Sequence, residues 1–268
     1  MLKRTGLVFA GLWCAIAAGC LGVVVTAVSS ISSSPRDPAL PPAVAGIPDP
    51  PRPGLAVPPP RGLGAAVGTT RWATLARETE ARVSPSSEAG RVALLGRLTP
   101  EGTDNVVLPF RRAADEHGRP WVEARIPGLP SRQTGWIERD ALGPGGLTRA
   151  RLIVDRQRLT LSYVRAGREL LRARVGVGRR SAPTPAGRFY VRNRLTRYAG
   201  PRYGPLAFGL SARSRLTDWP GGGFIGIHGT DQPELLPGRV SRGCIRLADR
   251  DIVRLGRLLR VGTPVEIV

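Results

Sequence analysis

The chain of 268 residues has three cysteines and two histidines, and one of each lies in a setting suited to chemistry. His228 falls in Ile225-Gly226-Ile227-His228-Gly229-Thr230, which reads as a buried strand ending at an imidazole. Sixteen positions later comes Cys244, in Ser241-Arg242-Gly243-Cys244-Ile245-Arg246-Leu247. A thiol is a strong nucleophile only when ionised, and a neighbouring imidazole or positive charge lowers its pKa. Arg242 and Arg246 bring such charge, and Gly243 removes a side chain where a substrate carbonyl must approach. The pattern fits an activated thiol at Cys244 with the His228 imidazole within reach. Taken singly, a free cysteine is more often an inert buried hydrophobe, and a strand-end histidine a hydrogen-bonded structural residue. The combination reverses those odds. His117, in the polar turn Asp115-Glu116-His117-Gly118-Arg119, is given no role.

The elements that must position this pair begin near Leu147. Strand-like runs follow one another at Arg151–Asp155, Leu159–Val164, Leu170–Val177, Arg188–Arg192, Leu206–Leu210 and Phe224–His228, separated by Gly and Pro clusters. Asp249 is placed to cap a helix whose Ile252, Leu255 and Leu259 share a face, and Pro264–Val268 closes as a strand. Tyr198 and Tyr203 read first as core packing and second as cleft walls. This segment carries 24 Arg against 8 acidic residues, so most of the chain's formal charge of +20 lies here. Upstream, Val67–Gly146 is nearly neutral, with 11 basic and 10 acidic residues. Short runs such as Trp72–Ala76, Val92–Arg97, Trp121–Ile126 and Gly135–Glu138 predict a small all-β barrel.

The two motifs together resemble the signature of the L,D-transpeptidase catalytic domain. Val175-Gly176-Val177-Gly178 and Thr184-Pro185-Ala186-Gly187-Arg188-Phe189 resemble that domain's Gly-rich strand end and its Thr-Pro-x-Gly-x-Phe turn. The resemblance covers nearly all of 149–268. Some members have histidine at the position of Arg242 and asparagine at that of Arg246, so no second histidine can act here. The resemblance implies a peptidoglycan acyltransferase that forms 3→3 cross-links through a Cys244 thioester, with His228 as general base. Gly243 and Ser241 would shape the oxyanion loop, and Arg246, Arg242 and Gly229 would meet the substrate. It implies stem peptides as partners, carbapenem-type inhibitors, and no cofactor or metal. The segment 67–146, with Thr134-Gly135-Trp136-Ile137 its most recognisable strand, resembles a bacterial SH3-like domain, a module that often binds wall material.

The N-terminus is consistent with that setting. Lys3 and Arg4 precede Leu7–Val28, 22 residues without a charge, long enough as a helix to span a bilayer. The basic flank predicts that the rest of the chain is extracytoplasmic, either anchored or cleaved as a signal peptide. Export counts against nucleic acid as the partner of so basic a chain. Cys14 and Cys20 lie inside the apolar run, so Cys244 is the only exported thiol. Between Pro35 and Pro60 stand 11 prolines, a semi-rigid spacer with no means of building a core. The expected organisation is therefore mainly β: membrane segment at 1–30, Pro-rich linker at 31–66, SH3-like barrel at 67–146, and catalytic domain with one short helix at 147–268. Two rival readings are a sortase-like protein-anchoring transpeptidase, and a non-catalytic wall-binding scaffold in which Cys244 is merely buried.

Overall fold

Apolar and polar residues alternate along the strand-like runs, and among the described residues they form two sheets and one α-helix. The computed structural model describes residues 59–64, 66–128, 133–196, 200–214 and 223–268. Leu7–Val28, nearly all of the Pro-rich linker, and Tyr198 lie outside the described residues. Among the described residues no helix is long and apolar enough to cross a membrane.

The first sheet contains β1 (Arg61–Gly62), β2 (Thr70–Leu75), β3 (Thr79–Arg82), β4 (Arg91–Leu95), β5 (Val106–Ala114), β6 (Pro120–Arg125), β7 (Thr134–Glu138) and β8 (Leu142–Thr148). Their order is β4-β3-β7-β6-β5-β2-β8, with β1 beside β5. Leu75, Ala81, Val107, Val122, Ala124 and Ile137 form its core. The four strands named from the sequence are present within one or two residues at each end. β8 forms from Leu142-Gly143-Pro144-Gly145-Gly146 despite a composition typical of turns. Its glycines instead admit Trp72: a Cβ on Gly145 would collide with the Trp72 carbonyl oxygen, and one on Gly146 would lie 3.2 Å from Trp72 Nε1. The strand runs through the boundary expected between residues 146 and 147.

The second sheet contains β9 (Ala150–Asp155), β10 (Thr160–Arg165), β11 (Arg168–Arg174), β12 (Gly176–Gly178), β13 (Gly187–Leu195), β14 (Ala207–Arg213), β15 (Phe224–His228), β16 (Gly238–Ser241), β17 (Ile245–Arg246) and β18 (Pro264–Ile267). Its order is β11-β10-β9-β18-β13-β14-β15-β17-β12-β16. One cluster joins Leu152 and Leu161 at one end to Ile227 and Ile245 at the other, so the sheet wraps a single core. The helix α1 (Asp249–Leu258) closes it with Ile252 and Leu255. Asp249 is not the cap: that position belongs to Ala248, which makes no side-chain capping bond. The Asp249 carboxylate instead accepts the Thr230 N–H at 3.0 Å, so it serves the loop after His228.

Two-residue alternation gives this sheet an inner and an outer face near the motifs. Phe208, Leu210, Ile225, Ile227 and Ile245 point into the core. Gly209, Gly226, His228, Cys244 and Arg246 therefore share the outer face. The first sheet packs onto that same face at β13, where Tyr190 joins Val106 and Leu108 and donates to the Val106 carbonyl at 2.8 Å.

Candidate active site

β15 and β17 run parallel, with Ile227 opposite Ile245 and His228 opposite Arg246. One step earlier the register places Cys244 opposite Gly226. The Gly226 N–H lies 3.4 Å from Cys244 Sγ. A Cβ built on Gly226 would be 3.8 Å from Cys244 Sγ and 3.9 Å from His228 Cδ2. Thiol and imidazole thus border one small space that exists because residue 226 has no side chain. Cys244 is only 5% exposed and His228 3%, while Gly226 between them is half-buried. Gly226, Arg246 and Tyr203 all lie close enough to the thiol to act on it.

The hydrogen bonding of His228 fixes its tautomer. Nδ1 lies 2.6 Å from the Gly229 carbonyl oxygen, which can only accept, so Nδ1 carries the proton. Nε2, bonded to the Cδ2 that faces Gly226, is then free to take one. Burial holds the imidazole down at about 4, with the Gly229 bond opposing and the Arg246 charge assisting. At neutral pH the ring is uncharged. Burial also pushes the Cys244 thiol up to about 11, against the Gly226 N–H and Arg246, which favour the thiolate. The expectation that arginines lower this thiol's pKa is thus reversed, because desolvation outweighs one half-buried cation. Arg242 is exposed at the loop tip. The resting pair is neutral thiol and neutral imidazole.

The cysteine loop is held from both sides. Ser241 Oγ donates to the Cys244 carbonyl at 2.5 Å and accepts the Gly243 N–H at 3.1 Å. Ser241 is therefore a turn hydroxyl, and the Gly243 N–H expected to serve an oxyanion is already engaged. Gly243 has φ +122°, a region that favours glycine, and a Cβ there would press to 2.9 Å on Ile225 Cδ1. On the other side, Thr184 Oγ1 donates to the Gly243 carbonyl at 2.7 Å and accepts the Gly178 N–H at 2.8 Å. Thr184, 1% exposed, ties β12 to the cysteine loop.

Gly229, expected from the sequence to meet substrate, is instead packed against Gly204 and Asp249. It is buried, and a Cβ there would meet Gly204 Cα at 3.0 Å and collide with Asp249 Oδ1, so it supports His228 from behind. Arg246 is half-buried with its Nε enclosed and without a partner. It faces the site. Tyr203, read first as core packing, is half-buried with its ring 4.9 Å from that of His228. Sequence reasoning assigns none of these roles to Thr184, Gly226 or Asp249. For Gly226 the signal is the alternation itself, two isoleucines inward leaving glycine and histidine on one face.

Residues 149–267 match the family model described as YkuD, the L,D-transpeptidase catalytic domain. That segment belongs to the L,D-transpeptidase family. The L,D-transpeptidase candidates YkuD of Bacillus subtilis (strain 168) and YkuD of Bacillus licheniformis are 34% and 36% identical to it over 93 residues, 35% of this chain. The chain spans half the length of these curated relatives. Among solved structures, the catalytic domain of an Enterococcus faecium L,D-transpeptidase is 25% identical over 44% of this chain and 96% of its own, with a TM-score of 0.35. L,D-transpeptidase 3 from Mycobacterium tuberculosis, solved with a faropenem-derived adduct, is 16% identical over 52% and 75%, with a TM-score of 0.37. The family assignment rests on the family model and the curated relatives. Within the transpeptidase domain, Cys244, Gly226 and His228 occupy one corner, and the matched family favours this reading over a sortase.

Proposed function

We propose that the protein is a peptidoglycan L,D-transpeptidase that makes 3→3 cross-links through a Cys244 thioester. The observation that carries this reading is the placing of Cys244 and His228 around the space over Gly226. A stem tetrapeptide lies with the carbonyl of its diamino acid above Gly226. Because both groups rest neutral, the thiol proton passes to His228 Nε2 as sulfur bonds to that carbonyl carbon. The carbon–nitrogen bond to terminal D-alanine then breaks, and the imidazolium returns its proton to the leaving amine. The side-chain amine of a second stem attacks the thioester, forms the new amide, and restores the thiol. With the Gly243 N–H engaged by Ser241, the Cys244 N–H is the loop's donor for the oxyanion. Arg246 pairs with a substrate carboxylate. Acylation of Cys244 by carbapenem-type β-lactams follows from the same chemistry, because a lactam carbonyl above Gly226 would meet the same thiol.

In this reading the N-terminal apolar segment exports the chain, the Pro-rich segment spaces it from the membrane, and the SH3-like module meets the wall. The test is incubation with purified tetrapeptide stems followed by mass spectrometry. A dimer lighter by D-alanine than two stems, absent with Cys244→Ala, is expected; dimer from the Cys244→Ala protein would remove the nucleophile.

A further inference from the structure

The first and second sheets enclose a cavity of about 430 Å3 lined by residues of β2, β5, β9, β13 and β18 and distinct from the residues around Cys244. Its volume lies in the range of small-molecule sites, which favour such junctions. Four arginines line it, Arg71, Arg125, Arg151 and Arg188, against one acid, Glu266. Glu266 is 3.7 Å from Arg188. The guanidinium groups of Arg71 and Arg151 have no hydrogen bond or ion pair among the described residues, and Arg71 Nε is buried and unsatisfied. A buried donor without an acceptor is costly and calls for a ligand to complete it. The wall is apolar at Phe189 and Val265, and Phe110 is 37% exposed at the rim. An adjoining cavity of about 770 Å3 shares Phe110, Arg125, Arg188 and Glu266, so the cleft is elongated.

We infer that this cleft binds an anionic glycan, one sugar ring resting on Phe110 and its carboxylate or phosphate held by Arg71 and Arg151. The guanidinium fork matches either anion in a two-point contact. The elongated form suits successive sugar units better than a lone ion. The site is independent of the proposed acyl transfer, and it would place the transpeptidase domain along an anionic strand.

The test is calorimetric titration of the full chain at physiological salt with three sugars: N-acetylmuramic acid, glucose 6-phosphate and neutral N-acetylglucosamine. One or both acids should bind, and which one does identifies the source of the charge; the neutral sugar should not. Arg151→Glu, at an exposed strand position, should weaken binding at least tenfold, and Arg71→Ala at least fivefold. Arg174→Ala, exposed and outside the cavity, should leave it unchanged. Alkylation of Cys244 should proceed equally in all three variants, which separates failure here from failure of the acyl-transfer reading. Binding of N-acetylglucosamine as tight as the acids, no binding of either acid, or unaltered binding in Arg151→Glu overturns the proposal. So does a short oligonucleotide that binds through Arg71 and Arg151 when neither sugar acid does.

Discussion

Glu101, in the turn between β4 and β5, accepts two hydrogen bonds from Arg192 on β13, at 2.7 and 2.9 Å. Arg192 is only 2% exposed and lies 3.8 Å from the centre of the Phe224 ring, where β15 begins. Glu101 also accepts from Asn193 Nδ2 at 3.0 Å, and Asn193 Oδ1 accepts the Gly209 N–H at 3.0 Å. One carboxylate of the first sheet thus fixes β13, β14 and the start of the strand that carries His228.

Glu101→Ala should therefore be among the most destabilising changes outside the two hydrophobic cores. It leaves a buried guanidinium uncompensated, which costs on the order of 3–5 kcal/mol. The denaturant midpoint is the measurement. Glu101→Ala combined with Arg192→Met should recover most of the loss, because the unpaired charge goes too. A double variant as unstable as the single would show that the pair is not what holds the sheets together.

Gly226→Ala tests the space between thiol and imidazole. The added methyl would make ordinary contacts of 3.6–3.9 Å, so the fold should survive with stability within about 1 kcal/mol. It would nevertheless occupy the position from which a carbonyl must reach Cys244 Sγ. Transfer should fall on the order of a hundredfold or more, read as dimer formed per hour, with an unchanged circular dichroism spectrum. Full activity would mean that substrate approaches from elsewhere.

Much of this site is legible in the sequence because it is local. Phe224–His228 alternates cleanly, and its bounds in the structure are those the pattern predicts. The cysteine loop is legible from residue types. What escapes depends on contacts made far along the chain. β8 looks like a turn because Trp72, some 70 residues earlier, is what its glycines accommodate. Glu101 looks like one more surface acid, since nothing near it in sequence predicts a partner at position 192. The thiol's pKa moves opposite to the sequence-based expectation because a sequence gives neighbouring charge but not burial, and burial is the larger effect here.

Thr184 separates a hydroxyl's geometry from its bulk. Thr184→Val keeps the shape but leaves the Gly178 N–H and the Gly243 carbonyl unpaired in a buried place. Each such loss costs about 1–3 kcal/mol. The cysteine loop should loosen, with faster thiol alkylation and slower transfer. Thr184→Ser should restore both rates toward those of the parent. Equal behaviour of the serine and valine variants would assign Thr184 to packing alone.

The two perturbed groups set a pH window. His228 is held at about 4 in the folded chain, below the ordinary value near 6.5, so the unfolded chain binds its proton more readily. Its contribution to stability is complete above about 6.5 and is lost as pH falls through 4. Cys244 runs the other way. Its thiol is raised to about 11, so its contribution is complete below about 8.5 and is lost as pH rises through 11. Stability should therefore be greatest between these limits. His228→Gln should flatten the acid side and Cys244→Ala the alkaline side, both seen in urea midpoints measured across pH. For the proposed reaction, kcat/KM should show no inflection near 6.5, because the free base is already present well below that pH. A clear inflection there, absent in His228→Gln, would mean that the imidazole is solvated rather than enclosed.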